Sequence, residues 1–247
     1  MALEYRTPDW DKYRMDYNAP FKTLEPEAQE FAAVDGALRM LVEAGALPHA
    51  RYDGAKLRAM QAAVQKHFEI PWTAITPRMQ RFIYALNAIH QPRTMVAAGI
   101  FCGNTFISNA GAGAGPGASY KAKQLIGVEI KPEEAARAER NVRKIDPTGV
   151  ARIVAADAVQ FVGALKEPVN LLYLDADGTD SRGKGVYLDI LNACYDRMPK
   201  GSLVLAHNSV NSAAKLHEYL DFVRDPKHFQ TSLNVIFDPE GLEVSAR

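Results

Sequence analysis

The residues able to do chemistry in this chain stand at the ends of short apolar runs. Thr94 to Ala98 is apolar and stops at Gly99; Gly103 follows, and Asn104 and Thr105 then open a helix-like stretch. Glycines at a strand-to-helix turn let the backbone approach a ligand closely, because no Cβ stands in the way. Gln124 to Glu129 is a second apolar run, and it ends in a carboxylate. A carboxylate at that tip is placed to accept hydrogen bonds from both hydroxyls of a ribose. Three later runs end in Asp157, Asp175 and the pair His207-Asn208. Any one of them alone reads as a helix cap, Asp157 above all. Together the five ends read as one site, and the glycine turn with the acidic strand end reads as a nucleoside site.

His207 admits three readings. As a histidine satisfied at a strand end it needs no function. As a general base it takes a proton from a substrate hydroxyl or amine, its ordinary pKa suiting neutral pH. As a metal ligand it joins Asp175 and Asn208 in an unusual set. Base ranks above ligand. Ser209, Asn211 and Ser212 beside it suit a polar substrate end, although Ser209 also suits a helix cap.

The elements that must position these residues alternate from Arg93 onward. Strands are expected at Thr94–Ala98, Gln124–Glu129, Ala151–Ala155, Val169–Leu174 and Ser202–Ala206. Helices are expected near Pro132–Ile145, Ala158–Leu165, Lys184–Arg197 and Val210–Val223. Alternation of this kind marks an α/β, Rossmann-like doubly wound and mostly parallel sheet. Two runs flanking Asp238-Pro-Glu-Gly241, about Phe229–Phe237 and Leu242–Ser245, read as an antiparallel hairpin closing it. Three helices are expected before it: Glu27–Glu43, with Phe31, Val34, Leu38, Leu41 and Val42 on its apolar face; one capped by Asp53; and one started by Thr76-Pro77. The chain therefore divides into an N-terminal arm and helical cap at 1–90 and the sheet domain at 91–247. The arm, residues 2–25, holds Tyr5, Trp10, Tyr13, Tyr17 and Phe21. It reads as a segment packed on its own domain or a dimer partner, or as an aromatic lid over a cationic ligand. Gly111-Ala-Gly-Ala-Gly-Pro-Gly117 lacks the Gly-Lys-Ser/Thr of a phosphate loop and reads as a flexible connection.

Composition bounds the partners. The 247 residues are 47% apolar, with 29 basic against 29 acidic side chains. That balance gives no electrostatic case for nucleic acid or an anionic membrane. No apolar run reaches membrane-spanning length and no signal core opens the chain, so a cytoplasmic protein is expected. Two cysteines, Cys102 and Cys194, make neither a disulfide framework nor a zinc motif.

The run Ala98-Gly-Ile-Phe-Cys-Gly-Asn-Thr105 resembles motif I of the class I S-adenosylmethionine (SAM) methyltransferases, and most closely the catechol and caffeoyl-CoA O-methyltransferase clan. Ile75 to Tyr84 resembles the helix that precedes motif I there, and the likeness runs from about Thr73 to the C-terminus. The resemblance implies a seven-stranded sheet with the C-terminal hairpin. It implies SAM held by Gly99, Phe101, Gly103, Asn104 and Thr105, by Glu129 with Ile130, and by Asp157 with Ala158 at the adenine. Leu174-Asp-Ala-Asp177 matches the fourth motif, with Asp175 near the methionine amino group or a metal.

Departures from the clan matter as much. Its metal-dependent members hold Mg²⁺ with that first Asp and with an Asp-Asn pair after the fifth strand; here the pair is His207-Asn208. Imidazole in place of a carboxylate disfavours Mg²⁺, so none is expected. The catechol enzymes place a lysine three residues after the Asp; here that position is Gly178, and the nearest lysine is Lys184. Metal-independent methyl transfer from SAM to a small O- or N-nucleophile is the expected activity, with His207, Asp175 and Asn208 as catalytic residues. A cyclase closing SAM alone to azetidine-2-carboxylate and methylthioadenosine is the second expectation, and a SAM-binding scaffold the third. A homodimer is expected by analogy with the clan.

Overall fold

The computed structural model describes residues 3–179 and 181–247. Eight strands form one sheet: β1 (Leu3–Arg6), β2 (Thr94–Ala98), β3 (Gln124–Glu129), β4 (Ala151–Ala155), β5 (Leu171–Leu174), β6 (Leu203–His207), β7 (Thr231–Ile236) and β8 (Leu242–Ala246). The order across it is β4-β3-β2-β5-β6-β8-β7-β1. Every neighbouring pair is parallel except the two made by β8. The expected hairpin is therefore present, and the expected seven strands become eight. The extra strand is the start of the N-terminal arm, with Leu3 to Arg6 registered on Leu233 to Ile236. Its backbone pairs with the otherwise open β7 edge, something four residues of no clear period do not announce.

Strand order reverses between β2 and β5, which is where an open parallel sheet leaves a crevice for ligands. Successive residues of β2 serve opposite faces: Met95 and Ala97 join the core on one side, Val96 and Ala98 the core on the other. Burial on both faces explains the continuous apolar run. One face is covered by α1 (Glu27–Glu43), α2 (Gly54–His67), α3 (Pro77–His90), α4 (Asn104–Ala110) and α5 (Pro132–Arg143); the other by α6 (Ala158–Ala164), α7 (Val186–Cys194) and α8 (His217–Arg224). The first core runs without a break from Val34 and Leu38 of the cap to Leu233 and Val244 of the sheet.

The helix signals hold at their starts. Asp53 accepts from the backbone N–H groups of Ala55 and Lys56, and the Thr76 hydroxyl from that of Met79. Burial departs from periodicity in α1. Phe31 stays half exposed, while Glu30 is buried against Arg81 at 2.5 Å. The helix expected at 210–223 begins only at His217, after a series of turns from Asn208.

The glycine tract is not a loose connection. Gly111, Ala112, Ala114 and Gly117 are buried, and a Cβ on Gly117 would lie 2.7 Å from both the Gly111 carbonyl oxygen and Met60 Cβ. The tract is small because it packs under α2. The aromatic arm also differs from a lid. Tyr5 donates to the Ala33 carbonyl and meets Phe237 edge-on, Tyr13 lies under Arg78, and Trp10 under Arg6. No helix among the described residues is long and apolar enough to cross a membrane.

Candidate active site

A cleft of about 820 Å³ opens off the carboxyl ends of β2, β3, β4 and β5. Gly99, Phe101, Thr105, Glu129, Ile130, Asp157, Ala158 and Asp175 all line it. The turn after β2 sets its floor. Gly99 has φ +78°, and a Cβ there would sit 2.4 Å from the Ala176 backbone nitrogen. The Asp175 N–H donates to the Ala98 carbonyl at 2.8 Å, so the ends of β2 and β5 close on each other only because residue 99 has no side chain.

Glu129 is buried at one end of the cleft. Oε2 accepts from the Ile100 and Phe101 N–H groups at 3.2 and 2.9 Å, and Oε1 from Lys131 N–H at 3.1 Å. A carboxylate has about four lone-pair positions, so roughly one stays open to the cleft. Glu129 thus ties the glycine turn to β3 as well as facing a ligand. Asp157 does both jobs too, accepting from the Gln160 N–H as the α6 cap while lining the cleft.

Gly103, Asn104, His207 and Asn208 do not line the cleft. Gly103 lets α4 approach α5, where a Cβ would meet Ala138 Cβ at 3.2 Å. Asn104 turns away, donating to the Thr73 hydroxyl at 3.2 Å and bordering a smaller cavity of about 220 Å³ with Phe21. Asn208 has φ +65° in the turn after β6, and its carbonyl accepts from Ser212 N–H. His207 is buried behind Asp175, with Nδ1 3.4 Å from Asp175 Oδ2.

Among the cleft-lining residues that the sequence did not put forward are Trp72 and Lys184. Trp72 stacks at a tilt on Phe101, ring centroids 4.8 Å apart, and both line the cleft wall. The sequence offered no period or motif to mark Trp72. Lys184 returns to Asp175 although it lies nine residues downstream. Its Nζ donates to the Asp175 carbonyl and to Oδ1, each at 2.9 Å, and lies 3.4 Å from Asp177 Oδ2. A short 3₁₀ turn at Gly183–Gly185 folds the chain back, held by Gly178 N–H on the Gly183 carbonyl. The glycines at 178, 183 and 185 were the available signal.

Charge in this corner is arranged around Asp175. Burial alone would push its carboxyl up, but Lys184 and His207 outweigh burial and hold it below the usual carboxylate range. Burial likewise opposes charging His207, yet Asp175 and then Asp238 raise it above the ordinary histidine value. The Asp175 carboxylate thus lies between the Lys184 ammonium and the His207 ring, whose protonated form it favours. Mg²⁺ does not fit here. A hard dication needs oxygen ligands at about 2.0–2.1 Å. Asp175 instead has the Lys184 ammonium on one oxygen and the His207 ring beside the other.

Residues 96–209 match a family described as "Methyltransferase domain". Among curated proteins none matches the chain. Solved structures share its architecture at low identity. An O-methyltransferase from Bacillus cereus in complex with SAH is 14% identical, with 87% of this chain and 97% of that one covered and a TM-score of 0.58. The SAM-bound O-methyltransferase TomG from Streptomyces achromogenes, involved in tomaymycin synthesis, is 16% identical over 90% and 99% of the chains, TM-score 0.58. An SAH-bound methyltransferase from Podospora anserina is 11% identical over 92% and 100%, TM-score 0.60. Sheet order, switch-point cleft and matched segment agree: this chain has the class I SAM-dependent methyltransferase fold.

Proposed function

We propose that the chain transfers a methyl group from SAM to a small nucleophile without a divalent metal. The observation behind this reading is the continuous cleft from the Glu129 carboxylate, past the Gly99 turn, to Asp175 and Lys184. Adenosine lies across the ends of β3 and β4, its ribose on Glu129 and its base by Ile130, Asp157 and Ala158. The methionine part runs over the Gly99 turn, with its ammonium toward the Asp175 carboxylate and its sulfonium near the Phe101–Trp72 wall. Aromatic faces attract such a cation.

Much of the acceleration in such a transfer is alignment of nucleophile, methyl carbon and sulfur, which asks little acid–base work of the protein. His207 lies behind Asp175 and serves as a buried counter-ion that fixes the carboxylate, a role the geometry favours over direct proton removal. Asn208 then serves the turn after β6 rather than the reaction.

Incubation with SAM and a panel of phenols, carboxylic acids and amines tests the reading: S-adenosylhomocysteine should form only when an acceptor is added. Methylthioadenosine from SAM alone would replace methyl transfer by the cyclisation. Tight binding with neither product would leave a scaffold.

A further inference from the structure

We infer that Lys184 is the built-in cation of this site: it occupies the place beside Asp175 that a divalent ion would need, and it selects an acceptor that reacts as an oxyanion. The inference rests on the methyl-transfer reading and narrows it to acidic hydroxyls, phenols above all, in preference to amines.

Three observations support it. Lys184 is only 12% exposed, yet it lines the cleft, so it borders the ligand space while largely shielded from bulk water. Two of its three protons are fixed, on the carbonyl and on Oδ1 of Asp175. The third faces Asp177, a longer contact of 3.4 Å to a side chain that is 69% exposed. An ammonium has three donors and no acceptor. Apart from the Tyr187 ring face 5.7 Å away, that donor meets only a partner that water readily solvates, so an entering oxygen can take it. An amine nucleophile, with no anionic form at neutral pH, gains nothing from it and as an ammonium is repelled.

The step balances without a metal or a protein base. Beside the ammonium the acceptor's O–H gives its proton to solvent. The oxyanion attacks the methyl carbon as the carbon–sulfur bond breaks, and sulfur keeps the pair. The sulfonium becomes the neutral thioether of S-adenosylhomocysteine, and the ammonium keeps all its protons throughout. A donor aimed at the charged oxygen in a cleft is worth more than in water, and it holds the oxygen where attack begins.

The test uses 4-nitrophenol, whose phenolate has its own visible absorbance, bound to the full-length protein with S-adenosylhomocysteine. In the wild type the phenol should titrate at lower pH than in free solution. At a concentration of S-adenosylhomocysteine that calorimetry shows to be saturating for each protein, Lys184→Met should abolish the shift and Lys184→Arg should restore part of it. Mn²⁺ followed by electron paramagnetic resonance supplies a readout that needs no variant to fold: the wild type should take up none at Asp175. A shift that persists in Lys184→Met, a wild type that gives no shift, or Mn²⁺ uptake that Asp175→Asn removes would each overturn the inference. Failure of the wild type to bind S-adenosylhomocysteine would instead overturn the reading of the cleft itself.

Discussion

Lys184 and Asp175 are nine residues apart in the chain, yet the ammonium of one meets both the side-chain Oδ1 and the main-chain carbonyl of the other at 2.9 Å. His207 approaches the remaining oxygen from behind the cleft wall at 3.4 Å. One carboxylate thus holds together the ends of β5 and β6 and the turn leading to α7.

Removing that carboxylate should cost both stability and cofactor. Asp175→Asn leaves the Lys184 ammonium and the His207 ring without their anion in a largely buried corner. Because Asp175 keeps a fifth of its side chain exposed, the loss is smaller than for a fully buried pair, about 1–3 kcal/mol. Urea unfolding monitored by circular dichroism measures it. A change within about 0.3 kcal/mol of wild type would show that the three groups are not coupled.

The same groups set a pH dependence of known sign. His207 titrates above its ordinary value, so the stability it gains from Asp175 is complete below that ordinary value, about 6.5, and is lost as pH rises through the raised one. Asp175 is depressed, so its contribution is present above the ordinary carboxylate value and is lost as pH falls through the lowered one. The stability difference between wild type and His207→Gln should therefore shrink on going from about pH 6 to about pH 9. A difference that grows over that range would mean the imidazole is neutral in the folded protein.

Glu129 offers a test at the other end of the cleft. Glu129→Gln keeps one carbonyl oxygen for the glycine turn but loses the charge and an acceptor facing the ribose. SAM affinity should fall about 10- to 100-fold by calorimetry, as for the loss of a charge-assisted hydrogen bond. An unchanged affinity would place the nucleoside elsewhere.

Trp72 separates binding from folding. Nearly half of it is exposed, so Trp72→Ala should change unfolding free energy by less than about 1 kcal/mol. Removing a ring from the wall beside Phe101 should still weaken SAM binding about 3- to 10-fold. Equal affinity in the variant would remove the aromatic wall from sulfonium recognition.

Gly99→Ala has the opposite profile. The φ of +78° and a backbone atom 2.4 Å from the new Cβ leave no side chain that can yield, so folding should weaken by about 2–4 kcal/mol. A soluble variant with wild-type melting would show that the β2–β5 junction opens easily.

The sequence by itself determined the strands of the cleft and most of its lining. β2, β3 and β4 were legible to the residue, because strands buried on both faces are written as unbroken apolar runs. Gly99, Glu129, Asp157 and Asp175 were legible because polar or permissive residues ending such runs meet along one edge of a parallel sheet. Tertiary structure alone decided what lies between distant segments. It joined Leu3–Arg6 to the sheet edge, since four residues pair with whatever edge is open and show no period of their own. It turned Asn104 away from the cleft and set His207 behind it, because a strand end fixes a residue's level but not what its neighbours cover. Lys184 shows the same limit: spacing along the chain placed it too far from Asp175, and a fold of three glycines brought it back.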